Sequence, residues 1–145
     1  MIDYQKILNN NMINVLKDIL QNIENNGLSN NNHLYITFLT GHSKTKVPNW
    51  IKEKYPEEMT IVIQYEYYDL KINKSDFVII LSFNDIKAKL KIHYDSIISF
   101  ADPSANFGLR LVENKNQKKF NKSTKDNVTK NKSDNIINFT SYKKN

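Results

Sequence analysis

The amino-acid sequence predicts a mainly β, α+β fold: one long N-terminal helix, then a small antiparallel barrel or sandwich, then a disordered C-terminal tail. Three observations carry this expectation. Apolar residues recur at three- and four-residue steps as far as Asn26, alternate with polar ones in short runs between Leu34 and Val112, and become scarce from Glu113 onward. The length of 145 residues suits a single domain, residues 1–112, with an appended tail.

From Asp3 to Asn26 the apolar residues Ile7/Leu8, Met12, Val15/Leu16, Ile19/Leu20 and Ile23 fall on one side of a helix. Lys6, Asn10, Asn14, Lys17, Asp18 and Asn22 occupy the other, where water is tolerated. Asp3 is placed to cap the first turn, and Gly27 to end the helix at a positive φ. Such a stripe packs against its own domain. Because it is long and terminal, a share of it (Leu8, Met12, Val15, Leu16 and Ile19) is also placed to meet a second copy in a two-fold dimer, and the two uses are compatible.

Beyond the polar stretch Leu28–Asn32 the period becomes two. Leu34–Leu39, Met59–Tyr65, Tyr67–Ile72 and Phe77–Phe83 are β-branched and aromatic, as strands require. Asn84-Asp85 stands where a tight hairpin turn is expected. In the next run Ile86, Ala88, Leu90 and Ile92 alternate with Lys87, Lys89 and Lys91, an apolar face backed by a solvent face. Ile97–Phe100 and Phe107–Val112 flank Asp102-Pro103-Ser104, a turn signal with proline second. Val47–Tyr55 reads as a short helix, with Pro48 near its start and Pro56 ending it.

From Glu113 to Asn135 the chain is dominated by Asn, Lys, Ser and Thr, with Phe120 and Val128 its sizeable apolar residues. That composition buries too little surface to offset ordering entropy, so residues 113–135 are expected to be a flexible linker with a root-mean-square reach of about 26 Å. Apolar residues then return as Ile136, Ile137, Phe139 and Tyr142. Two readings of this end remain: a docking peptide on a solvated tether, or an added edge strand of the same domain.

Composition excludes several functions. With no cysteine there is no disulfide scaffold, thiolate metal site or cysteine nucleophile. No run approaches the roughly 18 apolar residues of a membrane span, and the start lacks a leader pattern, so a cytoplasmic protein without a membrane partner is expected. The net charge of +6 invites a nucleic-acid partner until it is divided. Residues 1–112 hold 12 Lys+Arg against 12 Asp+Glu, whereas the tail holds nine Lys against Glu113, Asp126 and Asp134. A neutral body offers no basic groove for a nucleic-acid backbone. His33, His42 and His93 follow no ligand spacing, Glu57-Glu58 would point to opposite faces of a strand, and Gly27, Gly41 and Gly108 are too far apart for a phosphate loop. No enzyme, metal or cofactor is expected.

Tyr65, Tyr67, Tyr68, Phe77, Phe83, Phe100 and Phe107 fall within and between the strands, and a small barrel needs most of them as core. Those that alternate outward would line a groove for an extended peptide or stack bases. Gln64 ends the run Met59–Ile63, and its amide both donates and accepts, as reading a peptide backbone requires.

Four segments, HLYITF (His33–Phe38), YPEEMTIVIQ (Tyr55–Gln64), LSF (Leu81–Phe83) and DPSANFGLRL (Asp102–Leu111), resemble in order and spacing the alphaproteobacterial branch of the SspB family. The similarity covers residues 3–112. The end IINFTSYKK (Ile136–Lys144) is similar to the docking segment of that family, with Thr140 where an acidic residue is usual and Lys143 where arginine is usual. Tyr67-Tyr68 replaces a Phe-Trp-like pair, and Asn84-Asp85 a turn that is usually glycine-rich.

The resemblance implies an SH3-like barrel, dimeric through its N-terminal helix, that binds ssrA-tagged polypeptides in a groove and tethers them to the ClpX unfoldase of ClpXP. It places peptide binding at Gln64, with Thr37, Phe83, Phe100 and Phe107 on matched strands. ClpX docking falls to Ile136, Ile137, Phe139, Tyr142, Lys143 and Lys144. The rival reading is an RNA-binding small barrel with a basic tail. Its support is the Lys87/Lys89/Lys91 face, although alternating lysines also keep a strand from aggregating.

Overall fold

The computed structural model describes residues 1–29 and 31–112; the expected linker 113–135 and docking end 136–145 lie outside the described residues. Helix α1 (Tyr4–Asn26) begins at Asp3, whose carboxylate accepts from the backbone N–H of Lys6 at 3.1 Å, and stops at Gly27, φ +77°, whose N–H donates to the carbonyl of Ile23. Seven strands follow: β1 (Leu34–Leu39), β2 (Glu58–Ile63), β3 (Tyr67–Ile72), β4 (Asp76–Phe83), β5 (Ile86–His93), β6 (Ile97–Asp102) and β7 (Phe107–Arg110). The short helix α2 (Asn49–Lys54) lies between β1 and β2. All pairings are antiparallel, in two sheets ordered β2-β1-β6-β7 and β3-β4-β5. The α+β sandwich expected from periodicity is the fold found.

Alternation sets the core. Ile36 and Phe38 of β1, Ile61 and Ile63 of β2, Phe77 and Ile79 of β4, and Leu90 and Ile92 of β5 turn inward, joined by Leu16 and Leu20 of α1 and by Ile51 of α2. Phe38, Phe77 and Phe100 are essentially sealed from water, and burial of such a side chain stabilises by about 1.5–3 kcal/mol. The β4–β5 hairpin turns on Asn84 and Asp85, both at positive φ (51° and 68°), the conformation of a tight primed turn. Ile86, expected inward, is instead 56% exposed because it adjoins this turn at the end of the sheet.

Two expectations for α1 are corrected by packing. Leu16 and Met12 turn into the chain's own core, so neither offers surface to a second copy. Ile19 is half-buried against the same core, while Leu8 and Val15 remain exposed beside Tyr4. The stripe is thus split: its centre closes the domain and one flank faces water.

The open edge of β5 is partly covered. Lys46, in the loop after β1, exchanges two backbone hydrogen bonds with Lys91. Buried Thr45 anchors that loop, donating to the Ser96 hydroxyl at 2.7 Å and accepting from the N–H of His93 at 3.1 Å. Such cover blunts an edge otherwise free to pair with other chains.

Candidate functional site

On the first sheet, the side chains that alternate with the core form an outer face of mostly uncharged groups, with Glu58 at the start of β2 and Arg110, opposite Ser99, at the end of β7. Thr37 lies directly opposite Thr60 on β2 and Ser99 on β6, and Tyr35 opposite Val62 and Ala101. The Thr37 and Thr60 hydroxyls share a hydrogen bond of 2.7 Å. β2 forms one edge of this sheet and β3 one edge of the other, with Gln64, Tyr65 and Glu66 joining them. Edge strands carry backbone donors and acceptors free for an added extended chain.

Gln64 follows β2 directly, one step beyond the Leu34–Ile63 pair, and His33 stands in the matching position before β1. Their side chains meet, Gln64 Oε1 to His33 Nδ1, at 2.8 Å. Tyr65, 73% exposed, sets its ring edge-on to the imidazole, with centroids 5.9 Å apart. With the imidazole donating to Oε1, the Gln64 amide plane is fixed and both N–H groups of Nε2 stay available to a peptide carbonyl. Thr37 sits on the same outer face, four residues along β1 from His33, or about 13 Å at strand spacing. An extended peptide has the same rise per residue, so groups at both ends of this face match its repeat.

Asp102 holds that end of the sheet together. It is 8% exposed and sits at the end of β6. Its carboxylate accepts from the Asn32 side chain at 2.7 Å, from the N–H of Ser104 at 3.1 Å, from the Ser104 hydroxyl, and from the backbone N–H of His33. Burial pushes its pKa up, but these hydrogen bonds outweigh burial and hold the carboxyl below its ordinary value. Pro103 starts a short 3₁₀ turn, and Asn106 in the left-handed region (φ 54°) returns the chain as β7. The Asp-Pro-Ser signal is therefore a clamp on the residue before β1 as well as a turn.

The remaining groove candidates are not brought together. Phe100 is 1% exposed and belongs to the core, which corrects its expected place in a groove. The cause is an irregularity in the β1–β6 pairing, where Phe38 opposes Ile97 but Thr37 opposes Ser99, so strict alternation along β6 fails. Phe107 is half-buried and tilted against Phe100, with centroids 6.2 Å apart. Phe83 is half-buried on the other sheet, edge-on to Trp50 at 6.1 Å. Sequence reasoning passed over His33 and Asp102; the available signal was that His33 and Gln64 bracket two strands that pair in register.

The second sheet has a different outer face. Tyr68, Ile80 and Lys89 lie across one row, Lys71, Val78 and Lys91 across another, and Lys87 Nζ sits 4.2 Å from the centre of the Tyr68 ring. Lys91 reaches Asp76 at 3.8 Å. Among the described residues, no three His, Asp or Glu side chains are grouped to hold a metal ion, and no helix is long and apolar enough to cross a membrane.

Comparison with individually curated proteins finds no match. A protein-family model does match, described as stringent starvation protein B and covering residues 7–144, which include α1 from Ile7 onward, every strand and nearly all of the tail. An N-terminal helix, an antiparallel sandwich with Gln64 poised at a sheet edge, and a match that runs through the basic tail lead to one conclusion: the chain belongs to the SspB family.

Proposed function

We propose that this chain, as an SspB protein of the alphaproteobacterial type, is a proteolysis adaptor that binds ssrA-tagged polypeptides and passes them to ClpX for degradation by ClpXP. The observation that carries the reading is the family match over residues 7–144, joined to the Gln64–His33 pair at the edge of the first sheet. The tag lies extended along the edge and outer face of that sheet, with the Gln64 amide reading its backbone. The chain hydrolyses nothing itself.

Delivery falls to the C-terminal segment. Ile136, Ile137, Phe139, Tyr142, Lys143 and Lys144 dock on ClpX, raising the local concentration of bound substrate to the order of millimolar. A dimer formed through the exposed flank of α1, with Leu8 and Val15 at its centre and Ile19 at its margin, carries two such segments and gains avidity.

The test is fluorescence anisotropy of a labelled ssrA-tag peptide titrated with the wild type and with Gln64→Ala. Saturable binding weakened about tenfold in the variant, the loss of one well-placed hydrogen bond, is the expected result. Equal affinity of both proteins overturns the role of Gln64, and absence of tag binding overturns the function. The RNA-binding alternative rests on the lysines of the second sheet; steep loss of RNA affinity with rising salt, and no tag binding, would establish it instead.

A further inference from the structure

A cleft of about 420 Å³, none of whose lining residues belongs to the first sheet, lies between α1, the loop after β1, the β3–β4 turn and the short 3₁₀ turn that follows β5. Its volume lies in the range of small-ligand pockets. What distinguishes it is the charge brought there from separate parts of the chain: Lys17 from the helix, Lys44 from the loop and Lys74 from the turn. Among the described residues none of these ammonium groups has a carboxylate within 4.0 Å; the lysine that does is Lys91, with Asp76, while Asp95 lies beside His93. Lys17 instead lies 4.8 Å from the centre of the Tyr94 ring.

Three cations thus face one carboxylate, that of Asp95, which is itself directed at His93 at 3.6 Å. His93 and His42 are stacked beside the cleft, with centroids 5.8 Å apart and planes within 11°. His42 Nδ1 accepts the backbone N–H of Lys44 and His93 Nδ1 that of Asp95, so in the neutral rings each Nε2 bears the proton. The positive surroundings register on His42. Its pKa is lowered by burial first, then by His93, with Lys44 adding to the effect against the pull of Asp95.

Converging lysines with no carboxylate partner among the described residues stabilise a ligand carrying two or more negative charges, and compact ammonium groups suit phosphate oxygens. The side-chain amide of Asn14, which makes no hydrogen bond among the described residues, supplies a neutral donor on the same wall. Helical spacing sets Asn14 and Lys17 on the flank of α1 away from Leu8 and Val15, so a dimer formed through those residues leaves the cleft open. We propose that this cleft is a binding site for a small diphosphate-bearing ligand, held by Lys17, Lys44 and Lys74.

The full chain is titrated with ADP, inorganic pyrophosphate and adenosine in about 0.15 M salt, with calorimetry for affinity and ¹⁵N chemical shifts for location. Both diphosphates saturate a single site, adenosine does not bind, and the shifts centre on Lys17, Ser75 and Tyr94. Lys44→Gln with Lys74→Gln, two exposed positions, weakens binding at least tenfold, whereas Lys87→Gln with Lys89→Gln leaves it within twofold. ADP binding more tightly than pyrophosphate identifies a nucleotide ligand; equal affinity identifies the phosphates alone, and both support the site. Absence of saturable diphosphate binding overturns it. So does binding unaffected by the Lys44/Lys74 change, since the anion would then sit on the lysines of residues 113–145. The readout is independent of the ssrA tag, so either result leaves the adaptor reading as it stands.

Discussion

The outer faces of the two sheets are built from the same strand geometry and do opposite things with it. On β2-β1-β6-β7 the outward residues are mainly hydroxyls, a tyrosine and small apolar groups ending at the Gln64–His33 pair, with Glu58 and Arg110 as single charges on the two edge strands; on β3-β4-β5 they are lysines around Val78 and Ile80. Short uncharged donors and acceptors read a peptide backbone at fixed spacing and respond weakly to salt. Long solvated ammonium groups repel other strands and keep the sheet from stacking. What separates the proposed recognition surface from the solvated one is a chain of support: the Gln64 side chain is held by His33, and the His33 backbone by Asp102.

The largest expected effect removes that support. Asp102→Ala leaves the Asn32 amide and the N–H groups of His33 and Ser104 without their acceptor, costing about 2–3 kcal/mol of stability and weakening tag binding with it. Lys91→Ala on the other face loses only a half-exposed ion pair, within about 0.5 kcal/mol. Urea denaturation of both variants measures the gap, and equal costs would break the contrast.

Binding sharpens it next. Changing Lys87, Lys89 and Lys91 together to Gln is expected to leave tag-peptide affinity within about twofold, against about tenfold for Gln64→Ala. Anisotropy at about 0.05 and 0.5 M salt adds a second reading: a tag held by Gln64 and the hydroxyl row binds almost equally at both.

Acid separates the regions by pH. The His42 cation is disfavoured in the folded chain, so its contribution to stability is complete above the ordinary 6.5 and is lost as pH falls through its lower folded value. The Asp102 carboxyl is held below its ordinary 3.8, so its contribution persists above that value and fades as pH falls further. Urea midpoints measured downward from pH 7.5 should show a first decrease that His42→Asn removes and a later one that Asp102→Asn removes. A single decrease untouched by either variant would separate these groups from acid stability.

The smallest effect concerns the lysine-bearing hairpin. Asp85 adopts φ 68°, and Asp85→Gly relieves that conformation, raising stability by about 0.5 kcal/mol. No gain, or a loss, in the thermal midpoint would show that the Asp85 side chain contributes to the turn.

Much of this fold was legible because its signals are local. The Asn84-Asp85 turn needs only its own two residues, and the inward set Ala88, Leu90 and Ile92 follows from alternation alone. The site was legible only at Gln64 and Thr37. Phe100 read as a groove aromatic because a register shift in β6 cannot be seen in one strand; it becomes visible only where Thr37 and Phe38 meet their partners. Asp102 and Asn32 lie 70 residues apart, and nothing short of the β1–β6 pairing brings them into contact. The division of the α1 stripe escaped for a related reason: periodicity gives the angular position of Met12 and Leu16 but not which elements fill the space opposite.

Val112, just past β7, exchanges two hydrogen bonds of 2.8 Å with the side chain of Asn9, a single amide acting as a strand partner for the departing backbone. The consequence is mechanical. A load applied beyond Val112 meets this clasp first and passes into α1, which is rooted in the core through Leu16 and Leu20. Only when the clasp yields does the load reach β7, an edge strand of four residues that peels from β6 pair by pair. A one-residue change, Asn9→Ala, would move the point of first failure from a helix anchored in the core to the weakest seam of the sheet.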